Sequence, residues 1–142
     1  MTTINFTRGV PANESFPIDE LTDAAASILK GAGAAVLQYG PAPGFQPLRE
    51  WLADWQGVSP DQVLTANGSL QLVEFLCQPA LQPGDEVFTE APTYDRTLLL
   101  LRRHGATVTG IPVEDDGPDI AALERALARR VPKFFYLIPD FQ

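Results

Sequence analysis

From residue 63 onwards, the chain alternates short apolar runs with longer segments whose apolar positions recur every three or four residues. Runs of the first kind predict strands, and segments of the second kind predict helices. The predicted strands are 63–65, 86–90, 106–113 and 133–138, and the predicted helices between them are 69–78, 95–104 and 119–130. Because short connections join them in alternation, we expect an α/β fold with parallel strands and three layers, α/β/α.

The helices of this region differ in how polar they are. The 69–78 helix is apolar nearly all round, which predicts burial against the sheet, and the 95–104 helix is apolar in bulk and is expected to be well covered. The 119–130 helix is amphipathic, with its charged residues away from the apolar face.

The beginning of the chain follows a different pattern. Residues 1–17 predict irregular, extended chain, because prolines restrict the residues before them. Residues 19–30 form an alanine-rich periodic stretch that predicts a helix, and Gly31 and Gly33 are expected to end it.

A loop and a second helix follow. Residues 37–44 contain two glycines and two prolines within five positions, which predicts a shaped loop. Residues 46–56 predict a helix, and the side chains that we expect to pack in a core are Leu48, Trp51, Leu52 and Trp55. We therefore divide the chain into an N-terminal segment, 1–57, and an α/β segment, 58–142.

Asn67, Gly68 and Ser69 lie between the first predicted strand and the helix that follows it. Asn-Gly favours a sharp corner, because glycine adopts positive φ without strain. A serine at the start of a helix then offers its hydroxyl beside free backbone N–H groups, an arrangement that favours an anion such as a phosphate. The alternative is a simple helix cap, which is the commoner role of serine there.

Ligands of open parallel sheets bind beyond the carboxyl ends of the strands. The corner at 66–69, the connection 91–94 and the end 139–142 are all expected at that edge, so Tyr94 is placed on the same edge as Ser69. A phosphate site near an aromatic ring suits a flat, phosphorylated aromatic cofactor, and a nucleotide would fit as well. The chain contains neither Gly-x-Gly-x-x-Gly nor a Walker sequence, which disfavours the common nucleotide sites.

Composition narrows the possible partners. The net charge of -8 argues against nucleic acid, and the one positive cluster, 129–133, is expected at a helix end. The only cysteine, Cys77, allows neither a disulfide nor a cysteine-rich metal site, and we expect a buried, inert thiol. The only histidine, His104, suits a helix C-terminus better than catalysis. No apolar run approaches the roughly 20 residues of a membrane helix, and the start does not resemble a signal peptide, so we expect a cytoplasmic protein without a membrane partner.

Six short groups of residues occur in a characteristic order. They are Arg8-Gly9-Val10-Pro11 with Phe16-Pro17; Tyr39-Gly40, Gly44 and Leu48-Arg49; Thr65-Ala66-Asn67-Gly68-Ser69; Pro83-Gly84-Asp85-Glu86-Val87; Pro92-Thr93-Tyr94; and Tyr136-Leu137-Ile138-Pro139-Asp140-Phe141-Gln142. Together they resemble the N-terminal part of a pyridoxal-phosphate-dependent aminotransferase of fold type I, class I/II. The resemblance is strongest to the branch of 2-aminoadipate and kynurenine aminotransferases and MocR-type regulators, and it implies a partial type I large domain with a mostly parallel sheet.

The resemblance also implies roles for individual residues. Its cofactor-binding residues are Gly68, Ser69, Leu70, Tyr94 and Tyr39. The phosphate would bind to Gly68, Ser69 and the backbone of Leu70, while the ring of Tyr94 would stack on the pyridine. Leu70 stands where the family often has glutamine, so a side-chain contact is lost there.

The remaining implied roles concern a second subunit and the substrate. Taken alone, Tyr39 is best interpreted as a buried anchor. The resemblance instead implies that Tyr39 contacts the cofactor of a neighbouring subunit, which implies a homodimer. Gly40 and Arg8 would lie on the substrate side, and the substrates would be an amino acid and a 2-oxo acid.

The resemblance identifies no catalytic residue in this chain. The family's lysine, which forms the Schiff base with pyridoxal 5′-phosphate, belongs to a later Ser-x-x-Lys segment, and the only lysines here are Lys30 and Lys133. We therefore expect the 142-residue chain alone to be inactive. Two alternatives are the effector-domain fragment of a MocR-type transcriptional regulator, which is disfavoured because family-like sequence begins near Met1, and a non-catalytic truncated product.

A structural expectation follows from the same comparison. In the family's sheet, strands encoded later separate the 63–65 strand from the other three. We expect 63–65 to lose its neighbours here, the other three strands to pair with one another, and the isolated chain to be marginally stable or prone to aggregation because apolar faces are exposed.

Overall fold

A computed structural model describes residue 9 and residues 11–140. The chain divides into two compact units, Met1–Thr65 and Ala66–Gln142, called here the N-terminal and the C-terminal unit. The predicted boundary after residue 57 lies slightly earlier than this division. Among the described residues, no helix combines the length and the apolar character needed to cross a membrane.

The N-terminal unit contains two α-helices and two short 3-10 helices. Helix α1 spans Ile18–Val36 and α2 spans Gln46–Gln56, and the 3-10 turns are Asn13–Ser15 and Pro60–Gln62. The prediction for α2 is confirmed. The helix predicted over 19–30 is interrupted where its end was predicted, since Ala32, between Gly31 and Gly33, has a non-helical φ of -134° and ψ of 19°. Beyond this kink, helical structure continues to Val36, which the sequence did not predict.

No strand forms at 63–65 in the described part of this unit, so the predicted strand is wrong. A buried guanidinium holds the segment instead: Arg49 donates from Nε to the Val63 carbonyl at 2.8 Å and from Nη2 to the Pro60 carbonyl. At the other end of the segment, the Thr65 N–H donates to the Pro43 carbonyl at 3.0 Å. Side-chain and loop contacts thus replace β-pairing, which agrees with the expectation that 63–65 lacks sheet neighbours.

The predicted loop is present and is packed closely against Thr65. Gly44 has a φ of +114°, and a Cβ at this position would lie 1.8 Å from Thr65 Oγ1. Glycine is therefore required both by backbone conformation and by the absence of space.

The prediction that the apolar side of α2 packs in a core is wrong for its tryptophans and for Leu48, which is 45% exposed. Trp51 is 61% exposed and Trp55 68% exposed, with ring centroids 5.5 Å apart. On α2, only Arg49 and Ala53 are buried. The pattern identified an apolar stripe correctly, but nothing among the described residues buries these two indoles.

The C-terminal unit has the predicted alternation of helices and strands. Its elements are α3 (Ser69–Ala80), β1 (Glu86–Ala91), α4 (Asp95–Arg103), β2 (Thr107–Glu114), β3 (Gly117–Pro118), α5 (Ile120–Arg129) and β4 (Phe135–Tyr136). The strand order is β3-β2-β1-β4, and β1 pairs in parallel with both β2 and β4. The three predicted parallel strands are confirmed, although β4 pairs over two residues only. The short antiparallel strand β3 was not predicted. It pairs only two residues, Gly117 and Pro118, with the end of β2.

The core of this unit surrounds β1. Val87 lies on one face of the strand in a cluster with Cys77, Leu81 and Leu101. Cys77 is fully buried, which confirms the predicted buried thiol, and burial raises its pKa. The predicted all-round burial of α3 is wrong, since the exposed apolar side chains of this helix are Leu70, Leu72, Phe75 and Leu76. The predicted coverage of α4 is wrong in part, because Leu101 is buried whereas Leu99 is 47% exposed.

The turn after α4 generates a stability prediction. Gly105 has a φ of +74°, and a Cβ there would lie 3.0 Å from Pro83 Cα. We expect Gly105→Ala to lower the free energy of unfolding by roughly 2–4 kcal/mol, because left-handed strain adds to overpacking. Urea unfolding followed by circular dichroism measures it.

The matched control is Gly84→Ala. Gly84 has a φ of +87° with no heavy atom within 4 Å of its Cβ position, so only the strain, roughly 1–2 kcal/mol, remains. Equal losses in the two variants would contradict the role given to Pro83.

Exposed apolar surface generates a second prediction, that the isolated chain self-associates as its concentration rises. The most exposed large apolar side chains besides the tryptophans include Leu37, at 79%, and Val131, at 77%. Light scattering after size exclusion measures the association. A monomer at all concentrations, with one sharp thermal transition, would contradict the prediction.

Candidate functional site

The corner before α3 has the predicted conformation. Gly68 adopts a φ of 88°, and a side chain at this position would stand in open space, so the approach to its backbone is clear. No side chain caps the start of α3. The Asn67 N–H donates to Gln71 Oε1 at 2.7 Å, which removes Asn67 from the free donors. The exposed Ser69 hydroxyl and the first-turn N–H groups therefore form a site that favours an anion.

The connection between β1 and α4 places an aromatic ring at the carboxyl end of the central strand. Tyr94 is the N-cap residue of α4, and its side chain is 49% exposed. Thr93, just before it, has a buried Oγ1 with no hydrogen-bond partner. Because α3 leads into the amino end of β1, its own start lies toward the carboxyl end of that strand. This topology directs the start of α3 and the connection that carries Tyr94 toward the same edge of the sheet.

A second feature of this edge is an acidic cavity of about 420 Å³ beside the ends of β1, β2 and β4. Its lining includes Glu90, Glu114, Asp115 and Asp116. Glu90 is buried and accepts a hydrogen bond from the Ile138 N–H at 2.9 Å, which fixes the chain just after β4. An acidic lining repels phosphate, so the anion site remains the start of α3. The described residues contain no group of three or more side chains suited to a metal ion.

His104 ends α4, as its sequence context predicted, but it has a further contact that the sequence did not reveal. His104 Nε2 lies 3.0 Å from Glu74 Oε2, which links the end of α4 to the middle of α3. The hydrogen bond to His104, and then the one from Gln78, lower the pKa of Glu74. Residues 30 positions apart carry no local signal of such a pair.

The remaining candidate residues lie in the N-terminal unit or outside the described residues. Tyr39 is fully exposed, so its interpretation as a buried anchor is wrong. Gly40 follows it in the loop, with no atom within 4 Å of its Cβ position. Arg8 lies outside the described residues.

The two lysines of the chain belong to different units. Lys133 Nζ lies 3.6 Å from Asp85 Oδ2, and the Lys133 N–H donates to the Glu86 carbonyl, which places it at the amino end of the strands, opposite Tyr94. Lys30 is an exposed residue of α1.

Comparison with known proteins gives this geometry a family. The sequence model described as aminotransferase class I and II matches residues 2–137. The chain belongs to the class I and II aminotransferases. A 2-aminoadipate transaminase of Thermus thermophilus is 42% identical over 98% of the chain and 35% of its own length.

A solved structure from the same organism shows the fold. It is LysN, an α-aminoadipate aminotransferase complexed with N-(5′-phosphopyridoxyl)-L-leucine, with a TM-score of 0.88 and 42% identity over 96% of this chain and 35% of that one. A further relative, the uncharacterised transcriptional regulator YdcR of Escherichia coli, is 28% identical over 98% of the chain and 31% of its own length. The chain thus has the type I fold in part, and it spans about a third of the length of the relatives it matches.

The Glu74–His104 pair predicts a pH dependence of stability. A carboxyl group whose pKa is lowered by folding stabilises the fold above its ordinary pKa of 4.5, and this contribution is lost as the pH falls through the lowered value. We expect Glu74→Gln to lower the urea midpoint at neutral pH, with the difference from wild type vanishing in acid. The control is Glu124→Gln on the exposed side of α5, whose urea midpoint is expected to equal that of wild type. A difference in urea midpoint between Glu74→Gln and wild type that persists in acid would contradict the prediction.

Proposed function

We propose that the protein of which this sequence is a part is a pyridoxal-phosphate-dependent aminotransferase, which moves an amino group between an amino acid and a 2-oxo acid. The observation that carries the proposal is the family match over residues 2–137, combined with an uncapped start of α3 and an aromatic ring in the connection after β1. LysN, which is similar over 96% of the chain, binds a phosphopyridoxyl compound.

The described residues fit such a cofactor by their donor set. A phosphate needs N–H and hydroxyl donors, and the start of α3 offers both without a competing cap. A substituted pyridine needs a flat partner, and the half-exposed ring of Tyr94, in the connection after β1, offers one. When bound, pyridoxal phosphate supplies an electron sink for chemistry at the substrate's α-carbon.

In this proposal, the chain's residues bind and orient the cofactor. Gly68 keeps the approach to the helix start open, while Ser69 and the N–H of Leu70 donate hydrogen bonds to the phosphate. Tyr94 holds the ring by stacking, and the burial of β1 immediately before it limits the movement of the connection.

The N-terminal unit would contribute a residue to the cofactor site of a second subunit. The fully exposed Tyr39 would reach the cofactor phosphate of a second subunit in a homodimer, while Gly40 and Arg8 would lie on the substrate side. We place the protein in the cytoplasm.

We also propose that the 142-residue chain alone is inactive. Lys133 is paired with Asp85 at the opposite end of the strands, so it does not suit covalent chemistry beside Tyr94. Lys30 does not match the family's lysine, which the resemblance assigns to a later segment. The effector domain of a MocR-type regulator is the alternative, supported by the similarity to YdcR. The coding sequence on both sides separates them: a later Ser-x-x-Lys without a DNA-binding domain supports the enzyme.

The direct test is equilibrium binding of pyridoxal 5′-phosphate and of pyridoxal to the purified chain. We expect the phosphorylated compound to bind more tightly, and Ser69→Ala to weaken its binding by about tenfold through loss of one charge-assisted hydrogen bond. Borohydride reduction followed by mass spectrometry is expected to give no single stoichiometric adduct, and no turnover is expected.

The control is Ser27→Ala, which removes an exposed hydroxyl on α1 and leaves affinity unchanged. Equal affinity for pyridoxal and its phosphate would refute the proposed phosphate site. An affinity of Ser69→Ala for pyridoxal 5′-phosphate equal to that of wild type would refute it as well. A stoichiometric adduct with transaminase turnover would refute the proposed inactivity.

A further inference from the structure

The two proposed cofactor contacts of the C-terminal unit belong to different helices. Ser69 begins α3, and Tyr94 directly precedes α4. A rigid cofactor held by both ends needs these two helices in a fixed relation, because a small misplacement of either contact weakens binding. Binding of the cofactor therefore depends on the contacts that set the position of α3 relative to α4.

Apolar packing brings the two helices together but does not fix their register. Cys77 of α3 and Leu101 of α4 are both fully buried in the same cluster. Attraction of this kind is non-directional, so it tolerates sliding and rotation of one helix over the other.

A directional contact is present beside this apolar cluster. The 3.0 Å hydrogen bond between Glu74 and His104 is the one side-chain hydrogen bond or ion pair between α3 and α4 among the described residues. Both side chains are partly buried, at 33% and 21% exposed, which reduces screening by solvent. Gln78 Nε2 donates to the other carboxylate oxygen of Glu74 at 3.2 Å, which orients the carboxylate.

We propose that Glu74 and His104 are a positioning pair that sets the spacing between the phosphate-binding start of α3 and the ring of Tyr94. Glu74 is about 7.5 Å along the helix axis from Ser69, at about 1.5 Å per residue, so a shift at Glu74 is transmitted directly to the helix start. Tyr94 is the N-cap residue of α4, and His104 is the C-cap residue of the same helix. A shift at His104 is therefore transmitted along α4 to Tyr94. This inference rests on the proposed function.

The test is a double-mutant cycle on the affinity of the chain for pyridoxal 5′-phosphate. Glu74→Ala and His104→Ala are each expected to weaken binding by about three- to tenfold, the effect of losing one partly exposed charged hydrogen bond. The double variant is expected to bind no more weakly than either single one, because the two side chains act as a unit. All affinities are measured at a temperature where each variant is fully folded.

Gly117→Ala is the control for lost stability alone. Gly117 lies in β3, has a φ of +139° and has no heavy atom within 4 Å of its Cβ position, so the variant lowers the unfolding midpoint through backbone strain, and its affinity is expected to equal that of wild type. Unchanged affinity in His104→Ala, additive losses in the double variant, or an equal loss in Gly117→Ala would each overturn the positioning role. If the wild-type chain itself does not bind the cofactor, the proposed function fails and this inference with it; normal wild-type binding with unaffected variants refutes only the inference.

Discussion

Burial of β1 is the constraint on which the C-terminal unit depends. Val87, Phe88 and Thr89 are at most 1% exposed, and the strand pairs in parallel on both sides. Full burial of a side chain such as Val or Phe contributes roughly 1.5–3 kcal/mol, and the paired backbone leaves the strand little freedom. The residues after the strand are positioned by it, so Glu90 can hold the chain after β4 and Tyr94 emerges at a defined point of the sheet edge.

The alternation of helices and strands was predictable for two reasons. The apolar residues of each element recur with the spacing typical of a helix or a strand, and glycine or proline residues mark its ends. Gly105, for example, has the positive φ expected just after a helix. The corner at Gly68 and Ser69 and its topological relation to Tyr94 followed from the same alternation. Contacts between distant positions did not: no local pattern pairs Glu74 with His104, or leaves the Thr93 hydroxyl without a partner.

The wrong predictions share one physical cause. Periodicity shows which side chains favour burial but not whether another element covers them. Trp51 and Trp55 lie on a genuine apolar stripe and are still exposed, and α3 buries one side only. Residues 63–65 have the composition of a strand, but with no partner strand, the guanidinium of Arg49 satisfies the Val63 carbonyl instead.

The exposed tryptophan pair has a spectroscopic consequence. Both indoles of the chain belong to α2, so intrinsic emission reports on the solvent around one helix of the N-terminal unit. Emission should already be red-shifted in the folded chain, and it should change little when the sheet around β1 melts. A molecule that binds to α2 over these tryptophans would instead shift the emission to shorter wavelength. The emission maximum of Trp51 and Trp55 therefore reports whether this side of α2 is covered.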